Sequence, residues 1–111
     1  WVVLVAADQW RWHMNEQQRM SLARLILIAE ADTGQSRKVA DFLLSWWNAA
    51  SCGGFDPTDL WAVDAVIARD MICVVQLIAD ANTYPDTLGY RGVFEGLVRQ
   101  WRPHLLVNHD P

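Results

Sequence analysis

The stretch DPTDLWAVDAVIARDMICVVQLIADA, residues 56–81, decides the fold that the sequence predicts. Asp56 is a favoured N-cap residue, Pro57 suits the first helical position, and Asp59 in the first turn complements the helix dipole. Apolar residues then recur at alternating spacings of three and four, the period of one helix face. The pattern predicts one continuous helix about 35 Å long at 1.5 Å per residue. Its apolar face comprises Leu60, Val63, Ile67, Met71, Val74 and Ile78.

Three further helices are predicted around this long one. They are expected over residues 16–31, 37–49 and 92–102. Asn15 caps the first, with Gln18 completing a capping box, and Ser36 caps the second. Pro103 ends the last, because proline cannot continue a helix interior. Four helices with short connections predict the all-α class and an irregular antiparallel bundle.

The chain has 111 residues, the length of one ordinary domain. The helical domain is expected over residues 14–103, and residues 104–111 form a C-terminal tail. Residues 1–13 lack helical periodicity and are interpreted as an N-terminal extension, either an extended segment or sequence upstream of the natural start. Met14 directly precedes the first helix, which makes it a candidate initiator.

The composition excludes several classes of protein. Hydrophobic residues make up 52 % and charged residues 20 %, which excludes intrinsic disorder. A net charge of −4 argues against non-specific nucleic-acid binding, which needs clustered Lys and Arg. The longest uncharged apolar run is far shorter than the roughly 20 residues of a bilayer span, so no membrane association is expected. We expect a cytoplasmic protein without a cofactor.

Charge is distributed unevenly along the chain. Residues 56–86 contain six acidic residues and a single base. They form either ordinary solvated helix faces or an acidic patch that attracts a basic partner. DNA binding through Arg91, Arg99 and Arg102 would require these side chains to share one exposed stripe, and we rank it last.

The first predicted helix is apolar on two sides. One face is predicted to enter the core and contains Leu22, Leu25, Ile26 and Ala29. A second apolar strip lies nearly opposite and contains Met20, Ala23, Leu27 and Ala31. A helix of this kind is either enclosed within the fold or used at a subunit contact. The seven Trp residues, an unusually high number, also favour an interface.

The sequence contains no recognisable catalytic set. Cys52 lies in a glycine-rich loop, but a catalytic thiol needs a base, and His13, His104 and His109 all lie in terminal segments. An ordinary loop or partly buried cysteine is therefore the favoured interpretation. HExxH, GxSxG and P-loop motifs are absent, and two Cys with terminal His do not make a zinc site.

The loop between the second and third predicted helices, residues 50–55, and the sequence around it are the best candidate for a binding surface or pocket. Asp64 falls on the apolar side of the long helix, where a carboxylate is either tied by hydrogen bonds or serves as a site residue. Aromatic, glycine and acidic residues concentrate nearby, as both a binding surface and a packed helix corner require. The candidate residues are Trp46, Trp47, Asn48, Cys52, Asp59, Trp61 and Asp64.

Three stretches carry a resemblance to a known family. They are DTGQSRKVADFLLSWWNA (residues 32–49), CGGFDPTDLW (residues 52–61) and YPDTLGY (residues 84–90). Over residues 14–103 the chain resembles a family of short helical proteins of unknown function, encoded in proteobacteria, often on plasmids and integrative elements. The resemblance implies an accessory gene of mobile DNA and no catalytic residues.

The predicted function is a non-enzymatic protein that assembles with itself or binds another protein. The first alternative is a small-ligand or enzymatic site near Asp64 and Cys52. The second is an acidic inhibitor of a nucleic-acid enzyme, acting through residues 56–86.

Overall fold

The computed structural model describes residues 14–107. In chain order the α-helices are α1 (Glu16–Glu30), α2 (Gly34–Cys52), α3 (Ala65–Ala81), α4 (Arg91–Trp101) and α5 (Pro103–Val107). Two 3₁₀ helices, Pro57–Trp61 and Pro85–Leu88, lie in the connections. No strand occurs within the described range, which confirms the all-α prediction. The proposed N-terminal extension, residues 1–13, falls outside the described residues.

The helices form a flat arrangement in the order α3, α1, α2, α4. Helix α1 packs against both α2 and α3, while α4 packs against α2, and α3 contacts mainly α1. Gln18 near the start of α1 donates to Asp80 near the end of α3, so this pair runs antiparallel. The thinnest dimension is 20 Å and the radius of gyration is 14.8 Å, above the roughly 13 Å of a compact domain of about 100 residues. Helix α3 is therefore an edge element of the bundle.

The core lies between α1, α2 and α4, with α3 closing one side. The predicted inner face of α1 is buried as expected, including Leu22 and Leu25 at 0 % exposure. Phe94 on α4 is the largest fully buried side chain. Hydrophobic burial of these faces is the main stabilising contribution to the fold. None of the helices in residues 14–107 has the length and apolar character needed to cross a membrane.

Side chains satisfy several of the free backbone groups at both ends of α1. Asn15 Oδ1 accepts from Gln18 N at 2.7 Å, and Gln18 Oε1 accepts from Asn15 N at 3.2 Å, so the predicted capping box is confirmed. At the other end, the Gln100 side-chain amide donates to the carbonyls of Glu30 and Ala31. Trp101 Nε1 donates to the carbonyl of Ala29 at 2.8 Å. Helix α4 therefore caps α1 through tertiary contacts.

Helix α2 begins earlier than predicted, and its N-cap is Thr33 rather than Ser36. Thr33 Oγ1 accepts from Ser36 N at 3.0 Å, while the Ser36 side chain is buried in the first turn. The prediction of Ser36 as the cap was wrong. Thr33 and Ser36 both suit the N-cap position, and only the backbone conformation shows at which of them the helix begins. The helix is interrupted at Asn48, whose φ of −166° and ψ of 86° are extended. Asn48 Oδ1 then accepts from Ser51 N at 3.1 Å and caps the final turn.

The long helix predicted over residues 56–81 is broken into two. Asp56 and Pro57 do start a helix, with Asp56 Oδ1 accepting from Thr58 N, but it is a 3₁₀ helix that ends at Trp61. Helix α3 starts again after Asp64. The bundle is retained because α3 alone carries the apolar face that packs on α1. The prediction of one continuous rod was wrong.

Candidate functional site

Trp46 and Trp47, at the end of α2, pack on Phe94 of α4 from two directions. The Trp46 ring meets Phe94 edge-on, with ring centroids 6.0 Å apart, and its Nε1 donates to the Thr83 carbonyl at 3.0 Å. The Trp47 ring is stacked on Phe94 at 5.7 Å with an interplanar angle of 22°. Both arrangements suit the quadrupoles of aromatic rings. Trp46 is thereby fixed in the core, and Trp47 stands half-buried at the surface.

Concave surfaces surround Trp47. A cleft of about 560 Å³ lies on one side, between the end of α2 and the second 3₁₀ helix. Its lining residues are Ser45, Trp46, Trp47, Asn48, Ala49, Ala50, Tyr84 and Asp86. Two further hollows of about 170 and 390 Å³ also border Trp47, where α2 meets α4 and α5. The indole of Trp47 is thus a shared wall of the concave surfaces around it.

The cleft offers aromatic surface and one carboxylate rather than reactive groups. Tyr84 is 63 % exposed and Asp86 is exposed, at the start of the second 3₁₀ helix. Among residues 14–107, neither a His nor a Cys lines this cleft. Such a surface can bind an apolar or aromatic group, with Asp86 favouring a positive charge beside it. The sequence predicts Trp46, Trp47 and Asn48 as site residues here, but not Tyr84 and Asp86. The one sequence feature that pointed to these two residues is the stretch YPDTLGY, which carries the family resemblance.

Cys52 is held in a setting that does not activate a thiol. Its side chain is buried, and it borders a hollow that no described histidine lines. Burial raises the pKa of the Cys52 thiol above its ordinary value, an effect that the nearby positive charge of Arg102 opposes only in part. Arg102 binds the Cys52 carbonyl at 2.9 Å and the Asp41 carboxylate at 2.7 Å, and so serves as a structural tie between α4 and α2. These contacts favour the structural interpretation of Cys52.

We expect Cys52 to react slowly with a thiol reagent in the native protein. In a Cys73→Ser variant, reaction with a disulfide reagent at pH 7 should be about a hundredfold slower than in urea, because burial both shields the thiol from the reagent and disfavours its thiolate. Absorbance of the released chromophore measures both rates. Native reaction as fast as that of the unfolded chain would contradict the burial and restore Cys52 as a nucleophile candidate.

Asp59, Trp61 and Asp64 do not join the Trp47 clefts. Asp59 pairs with Lys38 Nζ at 3.1 Å, on the N-terminal half of α2. Trp61 is 85 % exposed, and none of these three residues lines a cleft around Trp47. The structure therefore divides the candidate set. Trp46, Trp47, Asn48 and Cys52 lie together at one end of α2, and the remaining three belong to the first 3₁₀ helix and the start of α3.

Asp64 is exposed, so the expectation that it faces the core was wrong. Its backbone N–H donates to Gln35 Oε1 at 2.7 Å, and its carboxylate accepts from Gln35 Nε2 at 3.4 Å. The buried carboxylate is Asp70 instead, which accepts from Ser21 Oγ at 2.9 Å and from Arg24 at 2.8 Å. Hydrogen bonds from the Arg24 guanidinium hold the pKa of Asp70 below its ordinary value, against the opposing effect of burial. Asp70 is a structural tie between α1 and α3.

The apolar strip predicted as an interface on α1 lies in solvent. Met20 is 46 % and Leu27 68 % exposed, and Ala23 and Ala31 are exposed beside them.

The exposed arginine stripe that DNA binding would require is not formed by Arg91, Arg99 and Arg102. Arg102 is occupied by Asp41, and Arg91 pairs with Glu95.

Comparison with known proteins identifies one family. Within residues 14–107, no group of three or more His, Cys, Asp or Glu side chains is arranged to hold a metal ion. No curated protein and no solved structure matches the chain. The model of one protein family matches residues 19–102, which extend from within α1 to the end of α4 and include the aromatic cluster around Phe94. The chain therefore belongs to DUF7673, a family of unknown function.

Proposed function

We propose that the protein is a non-enzymatic interaction protein, which binds a second copy of itself or another protein through exposed apolar helix faces. The observation that carries the proposal is the number of large apolar side chains left in solvent on α1 and α3. Leu27 is 68 % exposed on α1, and on α3 the exposures are 61 % for Val66, 57 % for Ile72 and 50 % for Val75.

Isolated apolar side chains on a surface are normal, but Ile72 and Val75 lie side by side on one face of α3, and Met20 and Leu27 do so on one face of α1. Helix α3 is apolar nearly all round, and such a helix is ordinarily enclosed on every side. Here it is an edge element that packs mainly against α1. Covering its outer face would remove apolar area from water at about 25 cal/mol per Å². A protein partner supplies that cover.

The proposed biological setting rests on the resemblance to short helical proteins encoded in proteobacteria, often on plasmids and integrative elements. It is that of an accessory protein of mobile DNA that acts in the cytoplasm. An accessory protein that contributes a binding surface needs no catalytic set. The aromatic cleft and the tied Cys52 are compatible with that role.

The experiment compares wild type with Leu27→Glu and Ile72→Glu, one charge placed on each exposed face. We expect wild type to exceed its monomer mass of 12.7 kDa in light scattering after size-exclusion chromatography, or to retain a protein from a bacterial lysate. At least one of the two variants should lose that association, because a buried unpaired carboxylate is costly.

Gln17→Glu is the matched control, since it adds the same charge to an exposed polar position of α1. It should behave as wild type. The proposal is contradicted if wild type stays monomeric and every protein that it retains from the lysate is also retained by Leu27→Glu and by Ile72→Glu.

The two alternative functions stay predictions. A small-ligand site would now be sought at the Trp47 cleft rather than at Asp64, which is exposed and bonded to Gln35. An acidic inhibitor would use fewer charges than the sequence offers, because Asp59 and Asp70 are paired with Lys38 and Arg24.

A further inference from the structure

We propose that two copies of this chain pair through the outer face of α3, with the two helices antiparallel. This inference rests on the proposed function and identifies the partner as the chain itself. It depends on three features of α3: the spacing of apolar residues on its outer side, the position of two charges beside them, and the absence of a cover among residues 14–107.

One set of apolar residues on the outer side of α3 follows a coiled-coil pattern, and the exposed Val66 lies outside it. Residues 65, 68, 72, 75 and 79 are all Ala, Ile or Val, and their spacings are three, four, three and four. This is the a/d pattern of a heptad, which forms a seam between two helices. On the helical wheel the seam lies opposite the buried face of Met71, Val74 and Leu77. Helix α3 therefore has two apolar faces, one covered by α1 and one left largely uncovered by residues 14–107.

The residue sizes along the seam suit close helix packing. Ile72 and Val75, 57 % and 50 % exposed, stand at its centre, and alanines occupy its ends. In an antiparallel pair centred between them, Ile72 meets Val75 of the partner subunit, and Ala68 meets Ala79 of the partner subunit. Large residues at the centre and small ones outside allow the two backbones to approach evenly.

Charge complementarity selects the antiparallel orientation. Arg69 and Asp80 are eleven positions apart, which returns to nearly the same side of a helix at 100° per residue and about 17 Å along its axis. Both are exposed at one edge of the seam, and neither forms an ion pair within residues 14–107. Asp80 accepts hydrogen bonds from Gln18 and Gln76, which leave its charge uncompensated.

A twofold axis perpendicular to the helices sets like edges together and reverses their direction. With Ile72 level with Val75 of the partner subunit, Arg69 comes within about 3 Å along the axis of Asp80 of the partner subunit. The symmetry repeats this contact, so one pairing produces two complementary ion pairs. A parallel pair would instead bring Arg69 towards Asp64 of the partner subunit.

The size of the seam predicts a weak dimer. Its residues span about 21 Å of helix. One helix face of that length is expected to bury less than the roughly 800 Å² per partner of a standard interface. We expect dissociation in the micromolar range, about 1–100 µM. Dimer formation should therefore be visible as a concentration-dependent mass in sedimentation velocity.

The test uses two charge-reversed chains, Arg69→Asp and Asp80→Arg. Each alone places like charges across the proposed seam, so each should dimerise at least about tenfold more weakly than wild type. An equimolar mixture should recover dimers, because the heterodimer restores both opposite-charge contacts. Ile72→Glu should not dimerise alone or in a mixture. Far-UV circular dichroism of each variant verifies that the helices are intact.

The outcomes separate this inference from the proposed function. If wild type associates but both charge variants associate equally well, the α3 pairing is overturned while the interaction function stands. If Arg69→Asp weakens association, Asp80→Arg does not, and a mixture of Arg69→Asp with Asp64→Arg recovers it, the helices are parallel and the antiparallel pairing is overturned. A wild-type protein monomeric at several hundred micromolar also overturns the pairing, whatever other protein it retains.

Discussion

Replacement of Phe94 by alanine is expected to lower the free energy of unfolding by about 3–5 kcal/mol. Phe94 is fully buried, and its ring contacts both Trp46 and Trp47. Removing it leaves a cavity between α2 and α4 that neither indole can fill, because Trp46 is fixed by its hydrogen bond to the Thr83 carbonyl. The loss combines transfer of the ring to water with the cost of the cavity.

Urea denaturation followed by circular dichroism at 222 nm measures this loss. Phe55→Ala is the matched control, because Phe55 is half-buried and packs edge-on against Phe42 at a centroid distance of 5.0 Å. Its cost should be about half as large or less. If Phe94→Ala destabilises no more than Phe55→Ala, Phe94 is not the centre of the core.

The same variant connects the core to the candidate cleft. Stacking on Phe94 fixes the orientation of the Trp47 ring, and the concave surfaces on both sides of the ring depend on that orientation. A red shift of the tryptophan emission in folded Phe94→Ala that disappears when Trp47 is also replaced by Phe would show that the Trp47 indole has moved further into water. The aromatic cleft is then a consequence of how α4 packs on α2.

Local features of the sequence predicted the structure well. The capping box of Asn15 and Gln18 is correct because it depends only on residues three apart. The buried face of α1 and the start at Asp56 and Pro57 follow from equally local preferences. Nothing outside the segment had to be known in either case.

The break before α3 depends on residues far away in the sequence. The backbone N–H of Asp64 donates to the Gln35 side chain, and Asp59 pairs with Lys38, both on α2. These contacts favour a 3₁₀ turn and a restart, whereas periodicity within residues 56–81 favours continuity. The restart changes which residues face inward, so the buried carboxylate is Asp70 and not Asp64.

The candidate site was predicted in part for the same reason. Trp46, Trp47 and Asn48 belong to one helix end, and they do border the cleft. Trp61 and Asp64 are near them in sequence, but the chain turns away through the 3₁₀ helix and carries them elsewhere. Tyr84 and Asp86 reach the cleft from a connection that sequence proximity does not associate with α2.

Asp70→Asn is expected to lower the free energy of unfolding by about 2–3 kcal/mol at pH 7. The carboxylate is only 9 % exposed and accepts three hydrogen bonds, from Ser21 and twice from Arg24. An amide of the same size turns an N–H₂ group towards donors, leaving buried groups unpaired. The side chain of Arg24 is 47 % exposed, so water compensates part of the loss of its partner and keeps the cost below that of a fully buried ion pair.

This cost should depend on pH in a defined direction. The Arg24 hydrogen bonds lower the pKa of Asp70 in the folded state, so its stabilisation is fully present above the unfolded value of about 3.9 and is lost as the pH falls through the folded value. The difference between wild type and Asp70→Asn should therefore shrink when urea denaturation is repeated from pH 7 down to pH 3. Asp32→Asn, which removes an exposed carboxylate between α1 and α2, should change stability by about 0.5 kcal/mol or less. If the free energy of unfolding of Asp70→Asn differs from that of wild type by the same amount at pH 3 and pH 7, then the shape of Asp70, and not its charge, links α1 to α3.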